Sequence, residues 1–302
     1  MPIPESQLET WTNYESAAIT SAKETHEKIR ETLADPDCIL QQDDREFITK
    51  LQGSYANTTL VHGSGDVDIL VKLTESYRRD LSGLKTTERE RYLEHRTSAS
   101  YGWSEFRRDV ISVLEGKYGA NAITEGEKCL EVEASSLPLP ADVVVCQQYR
   151  QYRGYQYIGD DDYEEGIVFW TQDGTEIVNF PQQHIDNGAT KNDSTDGRFK
   201  PTVRMFKNAR NKLADDGEID KSTAPSYFIE CLLYNIPASE YTANLQDRFT
   251  SILLYPVESD LELSDYQCQN EIQSLFGTET TQWTPEAFIE FYAALVDLWE
   301  NW

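Results

Sequence analysis

The chain has 302 residues, of which 53 are acidic and 27 basic, so its formal net charge is −26. So acidic a surface disfavours non-specific binding to DNA, RNA or an anionic membrane. The hydrophobic share of 39% supports a packed core, and the length allows one large domain or two lobes. Acidity spread along the whole chain suggests a halophilic source, since salt screens self-repulsion. The alternative is an ordinary acidic cytosolic protein.

The cysteines and the N-terminus exclude several classes of protein. Five widely spaced cysteines with no CxxC pair argue against a zinc site or a disulfide framework. The N-terminal residues lack the basic region and apolar run of a signal peptide. No stretch approaches the length of a membrane span. We therefore expect a cytoplasmic protein without a membrane partner.

The first elements in chain order are a helix and a strand. Apolar residues at helical spacing predict one long amphipathic helix over residues 5–34, which Asp35-Pro36-Asp37 ends. The apolar run Phe47–Leu51 then predicts a short strand.

The stretch that follows carries the strongest chemical signal. A Gly53-Ser54 turn leads into a short helical segment over 55–59, and a glycine-rich turn over 63–65 leads into a second strand over 66–73. Because side chains alternate along a strand, Asp66 and Asp68 point to one face. Two adjacent carboxylates repel each other unless a cation lies between them, and Mg²⁺ prefers carboxylate and phosphate oxygens.

The upstream turn has the features of a phosphate cradle. Gly53 presents no side chain to a closely approaching phosphate. The backbone N–H groups that follow it, together with the Ser54 hydroxyl, are suited to holding phosphate oxygens. A phosphate cradle followed closely by a metal-binding strand predicts nucleotide chemistry.

Gly53-Ser54 followed by Asp66-x-Asp68 on a strand resembles the signature of the polymerase-beta-type nucleotidyltransferase superfamily. Within it, the chain most resembles the cGAS/DncV-like nucleotidyltransferases, which make cyclic di- or oligonucleotide messengers in antiphage (CBASS-type) defence. The resemblance implies an α+β fold, with a polymerase-beta-like nucleotidyltransferase core of mixed sheet and helices, a helical C-terminal lobe and a central cleft. The implied domains are residues 1–185 and 186–302. The alternative is a turn plus a solvated edge strand.

The remaining core elements supply a third carboxylate. The pattern predicts helix over 75–119, a strand over 128–134 and another strand from Ala141, with Asp142 at its head. In the superfamily a third carboxylate comes from a strand beside the Asp-x-Asp strand, and Asp142 matches that position. The resemblance then implies that Asp66, Asp68 and Asp142 hold two Mg²⁺ ions, for which Mn²⁺ can substitute. The alternative is a strand-capping aspartate.

The next segments are a hairpin and a polar stretch. Residues 166–180 predict a β-hairpin, and residues 181–200 a polar loop in which His184 is a local hydrogen-bonding residue rather than a base.

The C-terminal region is predicted to be helical from Phe199 onward, over 199–213, 224–237, 245–255, 264–276 and 285–302. The second of these helices is expected within the segment 224–237, with Pro225 in its first turn. The first helix carries a rare basic cluster in this acidic chain. The resemblance implies that Lys207 and Ser226 hold the triphosphate and that Tyr227 stacks on the base. The alternative is a solvated lysine and a core tyrosine.

The resemblance implies an Mg-dependent enzyme that joins nucleoside triphosphates, ATP among them, into a cyclic messenger with release of pyrophosphate. A downstream effector would be reached through that messenger, and the chain is expected to act as a monomer. The DNA-sensing basic surfaces and zinc element of animal relatives are not visible, so no DNA activator is predicted. The alternatives are a nucleotidyltransferase acting on an RNA end or a protein hydroxyl, and a non-catalytic nucleotide-binding regulator.

Overall fold

A computed structural model describes residues 1–14, 16–43, 45–61, 65–259, 261–279 and 281–302. Its helices are α1 Glu5–Thr12, α2 Ser16–Leu33, α3 Ile39–Gln42, α4 Gly53–Asn57, α5 Thr86–His95, α6 Trp103–Tyr118, α7 Pro181–Ser194, α8 Phe199–Asp215, α9 Ser226–Tyr234, α10 Leu245–Glu258 and α11 Pro285–Glu300. Its strands are β1 Phe47–Leu51, β2 Val67–Asp80, β3 Ile123–Glu125, β4 Leu130–Val132, β5 Ala141–Tyr155, β6 Asp161–Trp170 and β7 Glu176–Asn179.

The chain divides into two compact units. The helical unit comprises Met1–Ser16, Gly53–Ser64 and Gln182–Trp302, and the sheet unit comprises Ala17–Gln52 and Gly65–Pro181. The helical unit therefore draws on three separate stretches of the sequence. The functional domain division at residues 185 and 186 stays a prediction.

The sheet unit is built on one mixed sheet with the strand order β1-β2-β5-β4-β3, and β6 pairs with β5 and β7. Among the described strands, β2 and β5 run parallel and the other pairs antiparallel. Both long strands begin with buried β-branched and apolar side chains, which suits strands in the middle of a sheet. The predicted α+β fold with a mixed sheet is confirmed.

The helical unit packs around α8. Its large apolar core includes residues of α1, α8, α9, α10 and α11. Helix α8 buries residues on all its faces, among them the cations Arg204, Lys207 and Arg210. The basic cluster seen in the sequence is therefore largely an interior feature, and each buried cation must find acceptors there.

The predicted single helix over 5–34 is wrong, because the structure has α1 and α2 with an extended residue, Asn13, after α1. Two side chains of α8 donate hydrogen bonds to the last carbonyls of α1. Arg204 Nε donates to Thr12 O (2.7 Å), and Asn208 Nδ2 donates to Trp11 O (2.9 Å). These bonds satisfy carbonyls that a continued helix would have used.

Two further helical assignments are wrong. The helix predicted from residue 75 begins only at α5, because β2 continues to Asp80 in register with β5. The helix predicted over 264–276 is a single 3₁₀ turn, Leu263–Asp265, followed by irregular chain. There the Asn270 side chain accepts bonds from the backbone of Ile272 and Gln273, which favours a turn over a helix.

The predicted loop over 181–200 is also wrong, because most of it forms α7. Pro181 stands in the first turn, where proline is tolerated. His184 and Gly188, four residues apart, are buried on one face, and Asn187 Nδ2 donates to Gln269 O (2.9 Å). Tertiary contacts thus stabilise a helix whose polar composition resembles a loop.

The strands and hairpin predicted around the carboxylates are present as β1, β2, β4, β5, β6 and β7. In the glycine-rich turn predicted over 63–65, Gly63 and Ser64 lie outside the described residues. Across the described ranges, no helix is both long and apolar enough to span a membrane.

Candidate nucleotide and metal site

Two of the three predicted carboxylates lie side by side in the sheet unit. Asp68 is the register partner of Asp142 across the parallel pair β2 and β5. Neighbouring strands are about 4.8 Å apart, so these positions are adjacent. Val67 and Ile69, on either side of Asp68, are fully buried and fix the strand, while Asp68 is half-buried. Asp66 lies just before β2 and is exposed.

The carboxylates repel one another. Burial, and next the negative charge of Asp66, raise the pKa of Asp142 above its ordinary value. Burial and the negative charges of Asp142, Glu131 and Asp68 likewise raise the pKa of the Cys129 thiol to about 12, so this thiol is inert at neutral pH. Glu131 of β4 pairs in register with Asp142 and adds to the acidity. The end of the sheet is therefore a place where negative charge accumulates.

A cation fits the chemistry of this acidic strand end. Hard divalent ions take oxygen ligands, and Mg²⁺ is often held by one or two carboxylates together with substrate phosphates. Within the part of the chain that the structure describes, no three His, Cys, Asp or Glu side chains form a group that could hold a metal ion.

The predicted phosphate turn belongs to the helical unit. Gly53 has a φ of +61°, which favours glycine because other residues carry a Cβ that crowds the backbone there. The turn closes on itself, since Thr59 N donates to Ser54 O (3.0 Å). The residue between α4 and Thr59, Thr58, has a φ of +56°, which is strained for a β-branched side chain.

Ser226 and Tyr227 begin α9. The Ser226 hydroxyl accepts from Arg210 Nη2 (3.2 Å), and the same arginine donates to Ala224 O just before the helix. The Tyr227 ring stacks on the His184 imidazole, with centroids 5.1 Å apart and an interplanar angle of 22°. Burial raises the pKa of Tyr227 far above its usual range, so its hydroxyl stays protonated.

Lys207 is fully buried, with 1% of its surface exposed. Its ammonium donates to Glu230 Oε1, to Thr59 O (3.3 Å) and to Thr59 Oγ1 (3.2 Å). In this arrangement the charge of Lys207 is directed at a carboxylate. Its predicted contact with a nucleotide phosphate stays a prediction.

Glu230 lies at the centre of a buried polar cluster, which we call the Glu230 cluster. Its members are Asn57, Thr59, His184, Lys207 and Glu230. Although burial alone would raise the pKa of Glu230, the charge of Lys207 and the hydrogen bond from His184 hold it well below its usual range. Among the described residues His184 Nδ1 has no hydrogen-bond partner, so we assign the ring proton to Nε2, which faces the carboxylate.

The structure sorts the predicted residues by unit. Asp66, Asp68 and Asp142 belong to the sheet unit, whereas the nucleotide-binding candidates all belong to the helical unit: Gly53, Ser54, Lys207, Ser226 and Tyr227. The sequence analysis missed Glu230, Thr59 and Asn57. A signal for Glu230 exists, because it is the lone charge in α9, whose sequence SYFIECLLY is otherwise mostly apolar.

Two known proteins match the whole chain, and a family profile matches its C-terminal part. A profile described as the cGAS/DncV-like nucleotidyltransferase C-terminal helical domain matches residues 186–300. A cyclic UMP-AMP synthase of Rhodothermus marinus is 41% identical over 309 residues, which span 100% of this chain and 99% of the relative. A cyclic nucleotide synthase of Staphylococcus haemolyticus is 33% identical and matches over 100% of both chains.

A solved structure shows the same fold. The Rhodothermus marinus c-UMP-AMP synthase, determined with Apcpp and Upnpp, superposes with a TM-score of 0.88 and 39% identity. The match covers 100% of this chain and 98% of that one.

Proposed function

Because the chain belongs to the cGAS/DncV-like nucleotidyltransferases, we propose that it joins nucleoside triphosphates into a cyclic di- or oligonucleotide and releases pyrophosphate. The chain is a nucleotidyltransferase, as its full-length relatives are. The observation that carries the proposal is the adjacent pair Asp68 and Asp142 on parallel strands, where negative charge accumulates. Such a pair suits the attack of a hydroxyl on a triphosphate, because a cation held there would neutralise phosphate charge.

We propose that Asp66, Asp68 and Asp142 would hold Mg²⁺ or Mn²⁺, in the two-ion arrangement common in phosphoryl transfer. When bound, the ions would supply charge neutralisation for the triphosphate and lower the pKa of the attacking hydroxyl. The mutual repulsion of the carboxylates supports this role, since a cation would relieve it.

The proposed step is an in-line displacement. A ribose hydroxyl oxygen forms a bond to the α-phosphorus of a triphosphate while the bond to the bridging oxygen breaks, and pyrophosphate leaves with that electron pair. Asp142 is proposed to take the proton of the hydroxyl. A second displacement of the same kind closes the ring. Catalysis then depends on positioning and charge stabilisation, without a covalent enzyme intermediate.

The nucleotide would be held by the helical unit. We propose that Gly53 and Ser54 receive phosphate oxygens and that Ser226 and Tyr227 hold phosphate and base. Tyr227 supplies a flat aromatic ring, although its stacking on His184 occupies one face. Lys207 donates to Glu230, and we propose that it supports the nucleotide site through that carboxylate.

ATP is proposed as one substrate, with UTP the first partner to test, because the Rhodothermus marinus relative is named for a UMP-AMP product. A role in antiphage signalling through a downstream effector, in the cytoplasm and without a DNA activator, is part of the same proposal.

The test is a product assay with all four radiolabelled nucleoside triphosphates, with Mg²⁺ or Mn²⁺, at low and at molar salt. Products are treated with phosphatase and identified by mass spectrometry. We expect a phosphatase-resistant cyclic product. Linear products, or transfer only to RNA or protein, would contradict the proposal.

A further inference from the structure

Glu230 is a buried carboxylate whose two oxygens receive four donors. Oε1 accepts from Thr59 Oγ1 (2.7 Å) and from Lys207 Nζ, and Oε2 accepts from Asn57 Nδ2 (3.2 Å) and His184 Nε2 (3.1 Å). Only 4% of Glu230 is exposed. A carboxylate with this many donors is rigidly oriented, because each change of rotamer would leave buried donors unpaired.

Two of these donors come from the segment that follows the Gly53-Ser54 turn. Asn57 is the last residue of α4, and Thr59 donates its backbone N–H to Ser54 O (3.0 Å). Thr59 therefore links Glu230 to Ser54 through two hydrogen bonds, one from its side-chain hydroxyl and one from its backbone N–H. These three residues lie in one compact unit.

The same segment is held in a strained conformation. Thr58 has a φ of +56°, a backbone state that is energetically unfavourable for a residue that is not glycine. Its carbonyl accepts from Arg204 Nη1 (2.5 Å), and Arg204 is itself buried. Strain of this kind persists only where the surroundings determine the backbone, and such places are common at functional sites.

We propose that Glu230 is a positioning residue that fixes the Gly53-Ser54 turn in its nucleotide-binding form by holding Thr59 and Asn57. This inference rests on the proposed function. It assigns Lys207 a role through Glu230: the lysine balances the buried charge and also donates to both oxygens of Thr59. Both residues act on the turn through Thr59.

The physical reason is that phosphate binding by a turn requires the turn to be preorganised. A displacement of about 1 Å in a positioning element can lower a rate by about 100-fold. Thr59 is the link between the carboxylate and the turn, so its hydroxyl is the place to break the connection without removing a buried charge.

The test compares Thr59→Val with a matched control, Thr202→Val. Both threonines are buried and use their hydroxyls as donor and acceptor, but Thr202 bonds to Arg198 O (2.7 Å) and Arg248 Nη1 (3.4 Å), away from the turn. We expect Thr59→Val to lower kcat/KM about 10- to 100-fold, with KM raised and kcat lowered. Thr202→Val should keep wild-type kinetics, and Thr59→Ser should restore activity. Equal kinetics for Thr59→Val and Thr202→Val would overturn the inference.

A double-mutant cycle between Thr59→Val and Ser54→Ala separates positioning from general weakening of the fold. If Thr59 acts through Ser54, the double variant should lose less kcat/KM than the product of the two single losses, because either substitution alone already disturbs the same turn. Independent, multiplicative losses would overturn the inference. If near-UV circular dichroism shows that Thr59→Val is unfolded, Asn57→Ala carries the same comparison, with an expected loss of about 3- to 10-fold.

Failure of the two proposals is distinguishable. A wild-type protein that makes no nucleotide product in any assay condition contradicts the proposed function. An active wild-type protein with unaffected Thr59 and Asn57 variants contradicts only the role of Glu230.

Discussion

The two units each contain a buried or half-buried carboxylate, and the two are in opposite electrostatic states. In the sheet unit, burial and the charge of Asp66 raise the pKa of Asp142. In the helical unit, Lys207 and His184 lower the pKa of Glu230 in spite of complete burial. A carboxylate that lies near other negative charges favours the binding of a cation. A carboxylate that is paired with a lysine inside the protein instead fixes the position of the groups that donate to it.

The largest effect is expected from removing two of the proposed metal ligands. Asp66→Asn together with Asp68→Asn should abolish nucleotide incorporation, by at least about 1000-fold, because the divalent ions lose their ligands. The protein should remain folded by circular dichroism. Asp162→Asn, at an exposed position of β6, is the control and should retain activity. Full activity in the double variant would refute the metal site.

The paired carboxylate, Glu230, should control acid stability. Because the folded-state pKa of Glu230 lies below its unfolded value, its contribution is fully present above about pH 4.3 and is lost as the pH falls below that value. One proton contributes a slope of up to about 1.4 kcal/mol per pH unit. The free energy of unfolding, measured with urea between pH 3 and pH 7, should depend less steeply on pH in Glu230→Gln than in the wild type. Superimposable pH profiles would show that the ion pair does not contribute.

Salt should affect the exposed acidic residues much more than the buried Lys207–Glu230 pair. Molar KCl screens the repulsion among exposed acidic residues of this chain, which has a net charge of −26, but screens the buried Lys207–Glu230 pair much less. We expect the Tm to rise by about 3 °C or more in molar salt, in both the wild type and Glu230→Gln. Absence of stabilisation would remove support for a halophilic source.

The smallest change in thermal stability is expected from substituting Asp142. Asp142→Asn should raise the Tm in metal-free buffer by about 1–3 °C, because it removes one of the mutually repelling charges. The same variant should lose most of the stabilisation that Mn²⁺ gives the wild type. Thermal denaturation with and without Mn²⁺ measures both, and a variant that is destabilised in metal-free buffer would contradict the assigned repulsion.

The sheet unit was more predictable than the helical unit for a physical reason. The placement of Asp68 and Asp142 on strands follows from local apolar alternation, which a strand displays in the sequence. The functional roles of these residues stay predictions. The extension of β2 to Asp80 was missed because pairing with β5 overrides the helical pattern of the charged residues.

In the helical unit the decisive contacts are remote in sequence. The sequence of α7 resembles a loop, but in the structure its His184 contacts Glu230, which is 46 residues away in the sequence. From the sequence, Lys207 is expected to be a solvated or phosphate-binding lysine. In the structure its ammonium is buried and donates to Thr59 and Glu230. Composition and periodicity report local preferences, so they carry no information about these pairings.

The discontinuity of the helical unit has a consequence for folding. Thr59 and Glu230 are separated by 171 residues, so their contact forms only after the chain closes a very long loop. A fragment beginning at residue 186 would lack α1, Thr59 and His184, and would leave the Lys207–Glu230 pair short of partners. The phosphate turn and the helices that orient it are therefore expected to reach their native form together, late in folding.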